Sequence, residues 1–264
     1  SQYGADEVNK EGVAAEHLQI GIDSNAWKKR TPKDYRDTRK NLFDIEDDTF
    51  IILTVADNQE RKNLSGAFES LVMFKERMGP DFKFKWVLVT RPASHIGWKL
   101  LDIAVKLNLV EEYVELSRGL EFNKLWSLYA AADAFFLSSK AEGLGLPVME
   151  AMSVGVPVVA SDVGAITEHL SDNRGYLIPS EYEFIDPYGN ATRHFMDKKQ
   201  AAHALTLIAG GLGKPKAETR VKKARTYIET RTWDIPVAQL DKAIRSIANV
   251  KKPLEEEELT AAII

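Results

Sequence analysis

The sequence predicts an α/β protein: a Rossmann-like parallel sheet with helices on both faces, followed by C-terminal helices. Three observations predict it. Short, almost wholly apolar runs recur along the chain, beginning with residues 50–55, and such runs suit parallel strands covered on both faces. Helix-spaced apolar stripes fill most of the gaps, and strand–helix alternation implies right-handed crossovers. A glycine loop then enters a helix at Glu142-Gly-Leu-Gly-Leu-Pro147 and is followed by a helix, a glycine stop, a short buried strand and a new helix. That order is what a nucleotide-binding sheet needs.

Residues 1–49 are polar and weakly periodic and read as a linker with one helix, the remnant of a preceding domain. The Rossmann-like unit is assigned to 50–250, with strands at 50–55, 84–90, 113–116, 134–138, 157–160 and 175–178. Leu64, Ala67, Phe68, Leu71, Val72 and Phe74 form one helical stripe, and Leu125, Leu128, Tyr129 and Ala132 another; both are read as core. From 180 to 197 the chain, with Pro187, Gly189 and several aromatics, reads as an ordered but irregular surface insertion. Helices are expected at 198–209, 216–231 and 235–249, and the acidic run 255–258 opens an amphipathic tail over 251–264.

At 264 residues and 44% apolar content the chain can bury one large core or two small ones, which excludes global disorder. A net charge of −4 and a pI near 5.8 give no general attraction for nucleic acid or anionic membranes, so any phosphate site must be local. Cysteine is absent, which removes disulfides, thiol nucleophiles and zinc–thiolate sites and fits a reducing compartment. No apolar run approaches the roughly 20 residues that span a bilayer. The expected location is cytoplasmic, with peripheral membrane association left open. The first residue is Ser1 rather than Met, which suggests processing or a cut from something longer.

Glu142 and Glu150 are the most informative residues. Gly143 and Gly145 leave backbone amides uncovered, and Pro147 suits the first helical position, which puts Glu150 in the first turn. The helix start offers free N–H groups and a positive dipole end to a phosphate. Glycine loops before helices are common, and the dipole alone favours Glu in a first turn; the pair by itself is even odds between site and scaffold.

Further segments tip the balance. Gly155-Val-Pro-Val-Val-Ala-Ser-Asp-Val-Gly164 follows the pair, Ala130-Ala-Ala-Asp-Ala-Phe-Phe-Leu-Ser-Ser139 precedes it, Gly21-Ile-Asp23 stands early and Trp233 late. Together these resemble the C-terminal, donor-binding half of GT-B-fold retaining glycosyltransferases of family 4 (glycosyl transferases group 1), over most of the chain. The resemblance implies binding of a nucleoside diphosphate sugar for retaining transfer of a hexose to an acceptor hydroxyl, without a metal or other cofactor. It implies that Glu142 bonds the donor sugar, that amides of Gly143, Leu144, Gly145 and Leu146 hold sugar and phosphate, and that Glu150 takes the ribose hydroxyls. Lys62 would neutralise the leaving diphosphate, and Arg118 would stand at the wall of the base pocket.

One position departs from the family pattern. The family commonly has an arginine five residues before the lysine, where this chain has Asp57. Asp57 is expected either to turn away and cap the helix or to have its place taken by Arg61, and the second is favoured. His17, His95, His169, His194 and His203 show no metal-ligand spacing and are read as surface or core residues. No Asp-x-Asp motif occurs, and the glycosylation triplets at Asn63 and Asn190 lack an export signal.

Only one Rossmann-like domain fits the length, so the resemblance implies a partner: a separate or missing N-terminal GT-B domain holding the acceptor site. The acceptor, whether glycan, lipid or protein, and the donor's base and sugar are not legible. Two other readings stay open: a non-catalytic nucleotide-sugar-binding or interaction module, and a sugar-nucleotide epimerase-like protein.

Overall fold

The computed structural model describes residues 1–43, 48–92, 97–187, 190–211 and 215–248. Strands β1 (Phe50–Val55), β2 (Phe84–Thr90), β3 (Tyr113–Ser117), β4 (Ala134–Leu137), β5 (Val158–Ser161) and β6 (Tyr176–Ile178) form one parallel sheet of order β3-β2-β1-β4-β5-β6. Every strand lies within a residue or so of its predicted run. Leu53 pairs with Val87 on one side and Phe135 on the other, so the middle of β1 is the centre of the sheet. Its neighbours Ile51 and Ile52 are buried with it, as are Val87, Leu88, Phe135, Phe136, Val159 and Ala160. Residues buried on both faces explain why these strands read as continuous apolar runs and not as alternations.

Helices α3 (Leu64–Met78) and α4 (Leu100–Lys106) join β1 to β2 to β3, while α5 (Phe122–Ala131), α6 (Leu146–Val154) and α7 (Ala165–Leu170) link β3 through to β6. The strand order runs outward from β1 in one direction and from β4 in the other, so right-handed crossovers place these two sets on opposite faces. α8 (Lys198–Ala209) returns to pack on α3, and α9 (Pro215–Glu229) packs on α6. α10 (Asp234–Ala248) follows, so all three expected C-terminal helices form.

The region before β1 holds two helices, where one was expected: α1 (Gln2–Lys10) and α2 (Pro32–Phe43). α2 lies in the charged stretch, and a buried ion pair ties it to the sheet. Asp133, at the entry to β4, accepts from Arg39 Nη1 at 2.9 Å, from the Ile51 amide at 2.8 Å and from the Tyr35 hydroxyl at 2.6 Å. Arg39 and Asp133 are both buried. Two distant motif segments also meet: the Ile22 amide donates to the Arg231 carbonyl at 2.8 Å, and a side chain at Gly21 would fall on the backbone of Thr232 and Trp233.

Residues 180–197, expected to be irregular, form an antiparallel hairpin of β7 (Ser180–Ile185) and β8 (Thr192–Met196). Tyr182 stacks on Phe195 with ring centroids 4.5 Å apart. Cross-strand aromatic pairs of this kind stabilise two-stranded ribbons, and the proline and glycine between the strands disguised the pattern. The acidic run 255–258 and the tail 251–264 lie outside the described residues.

Candidate functional site

The order of the sheet reverses between β1 and β4, and ligands of open α/β sheets bind beyond the carboxyl ends of the strands at such a switch point. Two segments leave the sheet there. β1 runs into Ala56–Gln59 and a single 3₁₀ turn (Glu60–Lys62); β4 runs into the glutamate loop, 138–145. Gly145, with φ 77°, caps α6. Helix α6 therefore starts at Leu146, which puts Pro147 at its second position and Glu150 just beyond the first turn, one step later than predicted. Gly164, with φ 51°, is forced by closeness: a side chain there would fall on the Glu142 carbonyl oxygen. That oxygen also accepts from the Ala165 amide at 3.2 Å, so the segment after β5 presses the glutamate loop into shape. Nothing lies within 4 Å of where a side chain on Gly143 would stand. Glycine there leaves the loop backbone open to a ligand.

Glu142 is nearly buried, and its donors converge on Oε1: the Ser139 hydroxyl at 2.7 Å, Arg61 Nη1 at 3.2 Å and the Lys62 ammonium in close contact. Arg61 also donates to the Ala141 carbonyl at 2.7 Å. Burial pushes the Lys62 ammonium below its ordinary range, while the Glu142 carboxylate opposes that shift. The structure thus brings together Glu142, Lys62 and Arg61. Glu150 faces a different partner: its Oε2 accepts from the Tyr129 hydroxyl at 2.6 Å. Burial raises the Glu150 carboxyl, and the Tyr129 hydrogen bond pulls the other way.

Asp57 caps neither helix, and Arg61, the favoured substitute, stands with Lys62 at Glu142. The caps of the 3₁₀ turn and of α3 are Gln59 and Asn63. Asp57 Oδ2 instead accepts from Arg91 at 3.0 Å and Arg118 at 3.3 Å, with Gln59 at 3.2 Å. Asp57 Oδ1 is buried with no hydrogen-bond partner among the described residues. Two guanidiniums around one carboxylate leave a net positive charge at the carboxyl ends of β1, β2 and β3. Arg118 therefore stands at the mouth of the crevice as an ion-pair partner, and Arg91, directly after β2, joins it. Sequence reasoning missed Arg91 and Tyr129. Arg91's place at a strand's carboxyl end was the available signal; Tyr129 was absorbed into a core stripe because its ring is indeed core and only its hydroxyl reaches Glu150.

A pocket of about 270 Å³ opens over Glu142 and Gly143, with Arg61, Gly164, Thr192 and His194 in its wall. A larger cavity of about 660 Å³ between Gly155, Pro157 and α9 lies at the opposite, amino end of β5, so strand polarity and not cavity size selects the site. Among the described residues no group of three or more His, Asp or Glu side chains converges as a metal site. His169 is buried, its Nε2 2.7 Å from the Leu144 carbonyl under the glutamate loop, and His95 lies outside the described residues.

The model of the family described as glycosyl transferases group 1 matches residues 36–209. This chain belongs to that family. The glycosyltransferase chain is 28% identical over 138 residues to O-antigen chain mannosyltransferase B of Escherichia coli, covering 52% of this chain and 35% of that protein. It superposes on a glycosyltransferase from Rickettsia africae with a TM-score of 0.77 at 14% identity, covering 95% of this chain and 63% of the other. HepE of Anabaena in complex with UDP superposes with a TM-score of 0.73 at 20% identity, covering 93% and 62%. These structures share the GT-B Rossmann-like fold. The chain spans about a third of the mannosyltransferase and under two thirds of either structure. Among the described residues no helix is long and apolar enough to cross a membrane.

Proposed function

We propose that this chain is the donor-binding half of a glycosyltransferase, binding a nucleoside diphosphate sugar for retaining, metal-independent transfer of a hexose to an acceptor hydroxyl, with the acceptor site on a separate N-terminal GT-B domain. The observation that carries it is the meeting of Lys62 and Arg61 with Glu142 at the switch point, beside the amino end of α6. Two cations and a helix start suit a diphosphate. Negative charge grows on the diphosphate as the sugar departs, so cations held there lower the barrier as well as the dissociation constant. With its donors gathered on Oε1, Glu142 has Oε2 for sugar hydroxyls; amides of Gly143 to Leu146 hold sugar and phosphate, and Glu150 takes ribose hydroxyls. The UDP held by HepE supports a nucleotide in this fold.

A non-catalytic binding module drew its support from Asp57, a carboxylate where a diphosphate needs charge. Arg91 and Arg118 offset that carboxylate, which favours the enzyme. Titrating UDP-, GDP- and ADP-sugars against the chain tests the site and names the donor. Lys62→Ala is expected to weaken diphosphate binding by about 10-fold or more, the scale of a charge-assisted hydrogen bond. Undiminished nucleotide affinity in Lys62→Ala overturns the role given to that lysine.

A further inference from the structure

The β7–β8 hairpin reaches the glutamate loop through the backbone. The Lys140 amide donates to the Arg61 carbonyl at 2.8 Å, and the His194 amide donates to the Lys140 carbonyl at 3.1 Å. This two-rung ladder sets Arg61, Lys140 and His194 side by side across the crevice. Lys140 strengthens the tie, with its ammonium against Glu60 and 4.3 Å from the centre of the Phe195 ring. His194 and Thr192, two residues apart on β8, share the face that lines the 270 Å³ pocket with Glu142 and Gly143. Beside His194 on the paired strand stands Glu183, whose Oε1 lies 3.1 Å from His194 Nδ1.

We propose that His194 binds the hexose of the donor, accepting a hydrogen bond from a sugar hydroxyl at Nε2, with Glu183 as its positioning residue. The proposal rests on the donor-site reading above. A carboxylate beside Nδ1 favours the tautomer with its proton on that nitrogen, which leaves the Nε2 lone pair for a ligand. Lys62 and Arg61 are cations suited to phosphate, and Glu142 Oε1 is already occupied by two hydrogen bonds and the Arg61 ion pair. His194 adds to the sugar end of this pocket an imidazole acceptor beside the Thr192 hydroxyl. The pocket also falls just below the roughly 300 Å³ at which drug-sized ligand sites begin, a size for one sugar ring and not a whole nucleotide.

Calorimetry on the full chain separates sugar from nucleotide, using UDP with UDP-glucose and GDP with GDP-mannose. The readout is the factor by which the attached hexose tightens binding. In His194→Ala that factor is expected to fall roughly 5- to 10-fold, the scale of one hydrogen bond, with the affinity for free UDP or GDP and the melting temperature unchanged. His194→Gln, whose amide oxygen also accepts, is expected to recover part of it, and Glu183→Gln to lose less than His194→Ala. An unchanged hexose factor in His194→Ala overturns the proposal, and so does an equal loss for nucleotide and nucleotide sugar, which would mark His194 as structural. A wild-type chain that binds none of the UDP-, GDP- and ADP-sugars of the titration above overturns the donor-site reading itself, a result distinct from either.

Discussion

His169 supports the glutamate loop from below, and its protonation state should be visible in stability. Burial lowers its pKa to about 4, against 6.5 for an exposed imidazole. The folded state resists the proton, so this contribution is complete above pH 6.5 and is lost as pH falls from there towards 4. A depression of that size corresponds to about 3 kcal/mol. His169→Gln can still donate to the Leu144 carbonyl but does not titrate. Urea unfolding across pH 7 to 4 should therefore show the wild type losing about 3 kcal/mol more than the variant; parallel curves would refute the assignment. The same residue shows what a sequence hides. Nothing near position 169 marks this histidine as different from the exposed His203, because burial is set by the loop that folds over it. Asp57 hides its partners likewise: Arg91 and Arg118 stand 34 and 61 residues away along the chain, and neither is implied by the local pattern that identified Glu142.

At the scale of elements, the sheet and the C-terminal helices were legible, while the hairpin and one of the two helices before β1 were not. Strands buried on both faces write their burial into consecutive residues, and the helices between them write a stripe. α2 writes neither, since it docks through the buried Arg39 guanidinium and a tyrosine hydroxyl, with Leu42 and Phe43 adding apolar contact only in its last turn. Its dependence on Asp133 can be measured. Asp133→Asn removes the carboxylate charge that faces Arg39 within the sheet, and breaking a buried pair from one side costs about 3–5 kcal/mol. Urea denaturation should register a loss of that size, with the midpoint shifted well below that of the wild type. A loss under about 1 kcal/mol, the range of exposed pairs, would mean that water reaches Arg39. The hairpin was hidden for another reason: its strands are short, half exposed and stabilised by one aromatic stack within the hairpin and by a backbone ladder to Lys140, the second of which exists only after the chain has returned to the glutamate loop.

For the molecule as a whole, the arrangement of charge has a consequence for activity. Lys62, Arg61 and Glu142 form a self-satisfied cluster at one side of a crevice, and the chain corresponds to under two thirds of the Rickettsia glycosyltransferase and of HepE. Binding and transfer should therefore separate. In the proposed function the donor's phosphates need only the cations and the amino end of α6, all contributed by this chain. Attack on the sugar needs an acceptor hydroxyl held within about 3–3.5 Å of the reacting carbon, and such positioning is worth about 7–11 kcal/mol of barrier. The pocket over Glu142, walled by Tyr3, Arg61, Gly164, Thr192 and His194, is given to the donor sugar in the proposed function, and the acceptor to a separate domain. The chain alone is expected to bind a nucleotide sugar measurably and to transfer it to added acceptors at no more than the rate of slow hydrolysis. Product analysis with a radiolabelled donor, run beside calorimetry on the same sample, checks both halves. Efficient transfer by the isolated polypeptide would show that the acceptor site is contained within these 264 residues, and the division of labour proposed between two domains would fall.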